Sequence, residues 1–188
     1  PDREAIVDAT TGDRYSYAEL DARANRTARM LDGYGVGTTH SEAAADAGER
    51  IAVVSRNRVE VFDLFFATGK TGGVLAPLSH RLAPPELGEL LELVDPRLLV
   101  VEAPFAERVA DALEHADVDP PVLGLPDDTG GDGGDSGDFT ALEVTAYHDE
   151  LPADDAPFDG PRAALDDPHL LLHTGGSTGT PKETVITH

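Results

Sequence analysis

"IAVVSRNRVEVFDLFFATGKTGGVLAPLSHRLAPPELGELLELVDPRLLVV", residues 51–101, decides the fold through its changes of period. Ile51 to Val54 is an apolar run with no residue left over to face water, the pattern of a strand buried on both sides. Asn57 and Glu60 have the spacing of a helix cap. Behind them Val61, Phe62, Leu64, Phe65 and Phe66 make a helix apolar on most sides, which is therefore expected to be buried. Val74 to Leu78 is the next strand, and Leu87, Leu90, Leu91 and Val94 share one face of a helix that Pro96 terminates. Leu98 to Val101 is a third strand, Phe105, Val109, Leu113 and Ala116 a third helix, and Val122 to Leu125 a fourth strand. Strands alternating with helices predict an α/β fold whose mainly parallel sheet is flanked by helices on both faces.

Upstream, Ile6 to Val7 and Tyr15 to Ser16 read as a hairpin turning at Thr11-Gly12-Asp13. Ser16 and Glu19 match a capping box, and Leu20, Ala24, Ala28 and Leu31 follow at helical spacing until Gly33 and Gly35. Two stretches interrupt the rhythm. Residues 38–49, "TTHSEAAADAGE", and 126–168, which contain "DDTGGDGGDSGD", are rich in acids, glycine and small residues and are expected to be acidic surface loops. Only Phe139 to Tyr147 hints at structure within the second.

The 188 residues suit one domain and carry 36 Asp and Glu against 14 Lys and Arg, a formal charge of −22. Only Lys70 and Lys182 are lysines. Such a chain repels nucleic acid and anionic lipid at long range, so neither is an expected partner. Self-repulsion of this size fades where salt reduces the screening length to ~3 Å at ~1 M, and we read the surface as one suited to a halophilic, salt-rich cytoplasm. No apolar run is long enough to span a bilayer and no signal peptide is evident, so a cytoplasmic protein without membrane insertion is expected. Absence of cysteine removes disulfides and thiolate metal sites. The chain starts at Pro1 and stops soon after its most informative motif, which reads as a piece of a longer protein. Oligomeric state has no signature here.

That motif is "HLLLHTGGSTGTPKETVITH", residues 169–188: a strand, a polar loop and a β-branched strand. Gly175-Gly176-Ser177-Thr178-Gly179 satisfies the hydrolase nucleophile pattern, but that chemistry needs a helix after the serine and an acid and a histidine later on. Gly69-Lys70-Thr71 ends like a Walker loop, yet it follows a helix and precedes a strand, the reverse of the required order. It reads as a helix-ending turn. At 175–182 the lysine follows Pro181 and no helix comes behind it, so a Walker cradle fails there too. What remains is a loop whose glycines free backbone amides, with hydroxyls on Thr174, Ser177 and Thr178 and an ammonium on Lys182. Such groups wrap polyphosphate oxygens. A simple hairpin turn needs far fewer residues. His169 and His173 have the spacing of a metal pair, but the leucines between them read as a buried strand.

"HTGGSTGTPKETVITH" resembles the phosphate loop of the AMP-forming, or adenylate-forming, acyl-CoA synthetase superfamily, which usually reads Tyr-Thr-Ser-Gly-Thr-Thr-Gly-x-Pro-Lys-Gly. "GKTGGVLAPLSHRLAPPELGELLE", residues 69–92, is similar to that family's second marker, and "TGDRYSYAELDARANRTARML" to its opening. Gly175 replaces the usual serine, Glu183 the usual glycine, and His173 stands where tyrosine is frequent, so phosphate binding is softened. The resemblance implies that residues 1–188 are the first portion of the large N-terminal AMP-binding domain, with 169–188 as strand, phosphate loop and strand and the small C-terminal domain absent. It implies activation of a carboxylic or fatty acid by Mg-ATP to an acyl-adenylate plus pyrophosphate, then transfer to coenzyme A. Thr174, Gly175, Gly176, Ser177, Thr178, Gly179 and Lys182 would hold the phosphates, Lys182 would neutralise the leaving pyrophosphate, and Thr174 would be a candidate Mg²⁺ ligand. The family's main catalytic lysine would lie beyond this chain, which alone would be inactive. The alternatives are a non-catalytic nucleotide-binding module and an adenylation domain that loads a carrier protein.

Overall fold

The computed structural model describes residues 2–37, 49–127, 139–160, 163–174 and 182–188. The chain opens with an antiparallel hairpin, β1 (Glu4–Val7) and β2 (Arg14–Ser16). Its turn closes on Asp8, whose carboxylate accepts the amides of Thr10 and Thr11, and on Gly12 at φ 82°. Ser16 then caps α1 (Tyr17–Gly33) with the reciprocal pair expected: the Ser16 amide donates to the Glu19 carboxylate at 2.7 Å and the Glu19 amide to Ser16 Oγ at 3.2 Å. The Ser16 amide, and the Ser16 hydroxyl that donates to the same carboxylate at 2.7 Å, favour its ionised form and hold Glu19 below its ordinary pKa.

The alternation follows as β3 (Arg50–Val54), α2 (Val59–Thr71), β4 (Val74–Pro77), α3 (Pro84–Val94) and β5 (Leu98–Glu102). A 3₁₀ turn over Ala103–Phe105 then runs into α4 (Ala106–Leu113), followed by β6 (Val122–Leu125), β7 (Thr145–Ala146), β8 (Pro168–Thr174) and β9 (Lys182–Thr187). Gly72 in the left-handed region ends α2, so Gly69-Lys70-Thr71 is the last turn of a helix and not a phosphate loop. Asp95, also left-handed, ends α3 just before Pro96.

The main sheet has the order β7-β6-β5-β3-β4-β8-β9, parallel throughout except for the antiparallel pair β8–β9. The apolar strands divide their side chains between two cores. Ile51, Val53, Leu98 and Val100 pack with Leu31, Leu64 and Ala67 of α1 and α2, whereas Val54, Leu99 and Val101 pack with Leu87, Leu91 and Val109 of α3 and α4. A strand buried on both faces has to read as continuous apolar sequence. Gly88 lets the second layer close, since a Cβ there would lie 2.8 Å from the Ala112 carbonyl oxygen on α4.

Three local expectations are corrected. Asn57 does not cap α2; the N-cap is Arg58, without a side-chain cap bond, and the Glu60 carboxylate instead pairs with Arg58 and, from distant parts of the chain, with Arg23 and His148. The helix is buried on one side only, because Phe62 and Phe66, one turn apart, are 44 % and 43 % exposed. Within 126–168, residues 145–149 do more than cover the surface. Thr145 and Ala146 pair with Leu123 and Gly124 of β6, and the next residue, Tyr147, is fully buried with its hydroxyl 3.2 Å from Thr27 Oγ1. Arg29 and Arg26 of α1 then hold Asp154 and Asp155 of the returning chain.

Candidate functional site

β8 runs parallel to β4, with Leu75 opposite Leu170, so its carboxyl end emerges with those of β3 to β6. β4 stops at Pro77, two residues past Leu75, while β8 continues to Thr174, four past Leu170. Its end therefore overhangs the edge of the sheet. β9 returns antiparallel with Leu172 opposite Thr184, His173 opposite Glu183 and Thr174 opposite Lys182. The β-branched run Thr184 to Thr187 suits this strand. A seven-residue connection, 175–181, is thus bracketed by Thr174 and Lys182, longer than hairpin closure requires. Thr174 and Lys182 are brought face to face as backbone partners. Gly175, Gly176, Ser177, Thr178 and Gly179 lie outside the described residues.

A strand, not a helix, follows the loop. That topology removes both the nucleophile elbow and the Walker cradle, each of which needs a helix there. Leu170 packs toward α1 and α2 and Leu171 toward α3 and α4, so the hairpin is clamped from both faces of the sheet.

Ligands of open α/β sheets usually enter where strand order reverses, here between the carboxyl ends of β3 and β5. In this chain that crevice is filled by protein charge. Glu102, 3 % exposed, accepts the Arg56 amide at 2.7 Å and the Arg56 guanidinium at 2.5 Å, and Arg56 also reaches Asp127 at 2.6 Å. Arg58 pairs with Glu60 at 2.7 Å and donates to the Pro126 carbonyl at 2.6 Å. Burial alone would raise the Glu60 pKa, but hydrogen bonds from His148 and Arg58 outweigh it and hold the carboxyl at about 2. The cleft left beside this network, between Asp13, Tyr15 and Asn57, measures about 150 Å³, below the ~300 Å³ at which small-molecule pockets begin. The β8–β9 hairpin also emerges at the carboxyl end of the sheet.

By composition the 174–182 segment of that hairpin fits phosphate: glycine amides, hydroxyls and one ammonium, with no carboxylate among them. It fits Mg²⁺ only in part. Thr174 offers one neutral oxygen, and Mg²⁺ ordinarily completes its shell with substrate phosphates and water. Among the described residues no group of three or more His, Asp or Glu is placed to hold a metal. The His169 ring turns to α2, where Nε2 donates to the Phe65 carbonyl at 2.9 Å. Sequence reasoning did not identify the Glu102 network. Its one signal is an acid at the end of the otherwise apolar strand Leu98–Glu102.

Known proteins match this chain throughout. A long-chain-fatty-acid–CoA ligase, FadD13, of Mycobacterium tuberculosis is 31 % identical over 188 residues, all of this chain and 32 % of the relative. Feruloyl-CoA synthase of an Amycolatopsis species is 33 % identical over 94 % of this chain and 29 % of its own length. The inhibitor-bound N-terminal domain of FACL13 from Mycobacterium tuberculosis superposes with a TM-score of 0.72 at 28 % identity, over 100 % of this chain and 41 % of that domain structure. The chain spans about a third of the length of the curated relatives it matches. No helix among the described residues is long and apolar enough to cross a membrane. The sequence profile described as AMP-binding enzyme matches residues 1–188, and the chain belongs to that family.

Proposed function

We propose that the protein containing this chain is an AMP-forming acid–thiol ligase. A carboxylate oxygen of the acid attacks the α-phosphorus of ATP, the bond to the β-phosphate oxygen breaks, and acyl-adenylate and pyrophosphate result. The thiol of coenzyme A then attacks the acyl carbon and AMP leaves. The observation that carries this reading is the seven-residue loop held between Thr174 and Lys182 at the carboxyl end of the sheet. Its composition serves a leaving pyrophosphate and not a covalent intermediate. The relatives' names add the reaction class, CoA ligation of fatty and aromatic acids.

In this reading Thr174, Gly175, Gly176, Ser177, Thr178, Gly179 and Lys182 hold the β- and γ-phosphates. Lys182 supplies a positive charge that counts most as negative charge builds on pyrophosphate. Mg²⁺, bound to the phosphates with Thr174 as a candidate protein ligand, supplies further charge neutralisation. ATP arrives as the magnesium complex because a chain of charge −22 repels the free nucleotide. The 188 residues supply one side of the site and are inactive alone. We place the protein in a salt-rich cytoplasm, on the strength of its acid excess.

The test is acid-dependent exchange of labelled pyrophosphate into ATP by the full-length protein, followed by acyl-CoA formation. Exchange without acyl-CoA formation would favour loading of a carrier protein. Nucleotide binding without exchange across fatty and aromatic acids would favour a non-catalytic module.

A further inference from the structure

The base of the β8–β9 hairpin, opposite its Thr174–Lys182 mouth, is closed by imidazoles. His169 enters β8 where the register shifts between Pro168 and Leu170. A carbonyl oxygen only accepts, so the bond to Phe65 O at 2.9 Å places the His169 proton on Nε2. The same ring lies 4.5 Å from the Phe65 ring. His188, the residue after β9, stacks on His169 at 4.1 Å with 16° between planes. The His188 amide donates to the Asp167 carbonyl at 3.3 Å. Its Nε2 is buried without a hydrogen-bond partner among the described residues. Gly69 lies against both rings, each 3.6 Å from the place of a Cβ. Both ends of the hairpin are thereby fixed to each other and to α2 at one point.

We propose that His169 and His188 are positioning residues, which fix the base of the β8–β9 hairpin through this stack and loosen it when His188 takes up a second proton. This rests on the reading of 174–182 as the phosphate loop. A proton on His188 puts charge on a half-buried ring that is stacked 4.1 Å from His169 and whose buried Nε2 has no acceptor among the described residues. The other charged groups nearby do not offset this. Lys70 of α2 and Asp21 of α1 neutralise each other at 2.8 Å on the rim of the groove His169 borders. Burial first, and His169 second, lower the His188 pKa, with Asp167 opposing more weakly. The sign follows: the docked hairpin is stable at neutral pH and loosens as pH falls below about 6.5, the ordinary imidazole value, by up to about tenfold per pH unit for the proton that His188 takes up.

The substitution His188→Phe separates the ring from its proton. It retains a flat ring and, because Nε2 has no partner among the described residues, it loses no side-chain hydrogen bond to them. In the full-length enzyme, the KM for Mg-ATP in pyrophosphate exchange should rise up to about tenfold between pH 6.5 and 5.5. Hydrogen exchange of the 182–187 amides, corrected for the intrinsic rate, should accelerate in parallel. His188→Phe should flatten both curves, whereas His188→Ala, lacking the ring, should raise both KM and amide exchange already at pH 7.5. Amide protection independent of pH in the wild type, or an unaltered acid response in His188→Phe, would overturn the inference. If pyrophosphate exchange is absent at every pH while amide protection behaves as described, the stack stands as a proton-sensitive clamp and the ligase reading fails.

Discussion

Replacing Glu60 by Gln tests the account of how the carboxyl end of the sheet is held together. Glu60, 5 % exposed, accepts from Arg58 at 2.7 Å and faces His148 at 3.2 Å, with Arg23 at 3.7 Å. These partners bring its pKa from 4.5 to about 2, a difference of ~2.5 units that corresponds to ~3 kcal/mol of stability at neutral pH. A depressed carboxylate pKa stabilises the fold above the unfolded value, and that stability is lost as pH falls from about 4.5 through about 2. Glu60→Gln keeps the shape and removes the charge, so the variant should melt ~6–12 °C below the wild type at pH 7, taking 2–4 °C per kcal/mol at this size. The gap should shrink to less than half by about pH 3. Thermal melts of both proteins in molar KCl from pH 7 to pH 3 measure it. A gap that is equally large at both pH values, or under ~1 °C at pH 7, would refute the reasoning.

Salt should matter to the whole chain: melting by circular dichroism should be higher and more cooperative in molar KCl than in dilute buffer, since screening weakens repulsion among 36 acids. Equal melting temperatures would remove the argument for a salt-rich cytoplasm without touching the ligase reading. Gly88→Ala should destabilise by ~1–3 kcal/mol, because its Cβ meets backbone on α4 at 2.8 Å. A chemical melt unchanged by that substitution would mean that α3 and α4 shift apart freely.

The parts of the fold legible in the sequence are those fixed by local rules. Leu98 to Val101 is apolar at every position because both sheet faces are covered, and Ser16 with Glu19 spells a cap that forms as written. Glu60 was legible only as a cap residue, since beside Arg58 its partners are Arg23 and His148, 37 and 88 residues away. Tertiary ion pairing there overrides local helix-start chemistry. Phe62 and Phe66 carried no sign of their exposure, because periodicity reports which residues share a face and not whether anything covers it. Tyr147 lies beyond an acidic, glycine-rich stretch, and its burial follows from Thr145 and Ala146 before it, which pair with β6. At the candidate site, the strand–loop–strand order was readable from 169–188, while the register opposing Thr174 to Lys182 and the imidazole clamp at the other end required the structure.

Lys182→Ala in the full-length protein, assayed on the two half-reactions separately, tests the central claim most directly. A charge-assisted phosphate contact is worth ~1.5–3 kcal/mol, or roughly 10- to 150-fold in rate when made mainly in the transition state. Adenylation should slow by that factor for every acid tested, because the lost charge acts on pyrophosphate and not on the acyl group. Transfer of preformed acyl-adenylate to coenzyme A should change far less, since pyrophosphate has already departed. Ser177→Ala, removing one of several donors, should cost only part of the adenylation rate. Unchanged adenylation in Lys182→Ala, an equal loss in both half-reactions, or complete loss of turnover in Ser177→Ala alone would contradict the assignment of 174–182 as the phosphate loop.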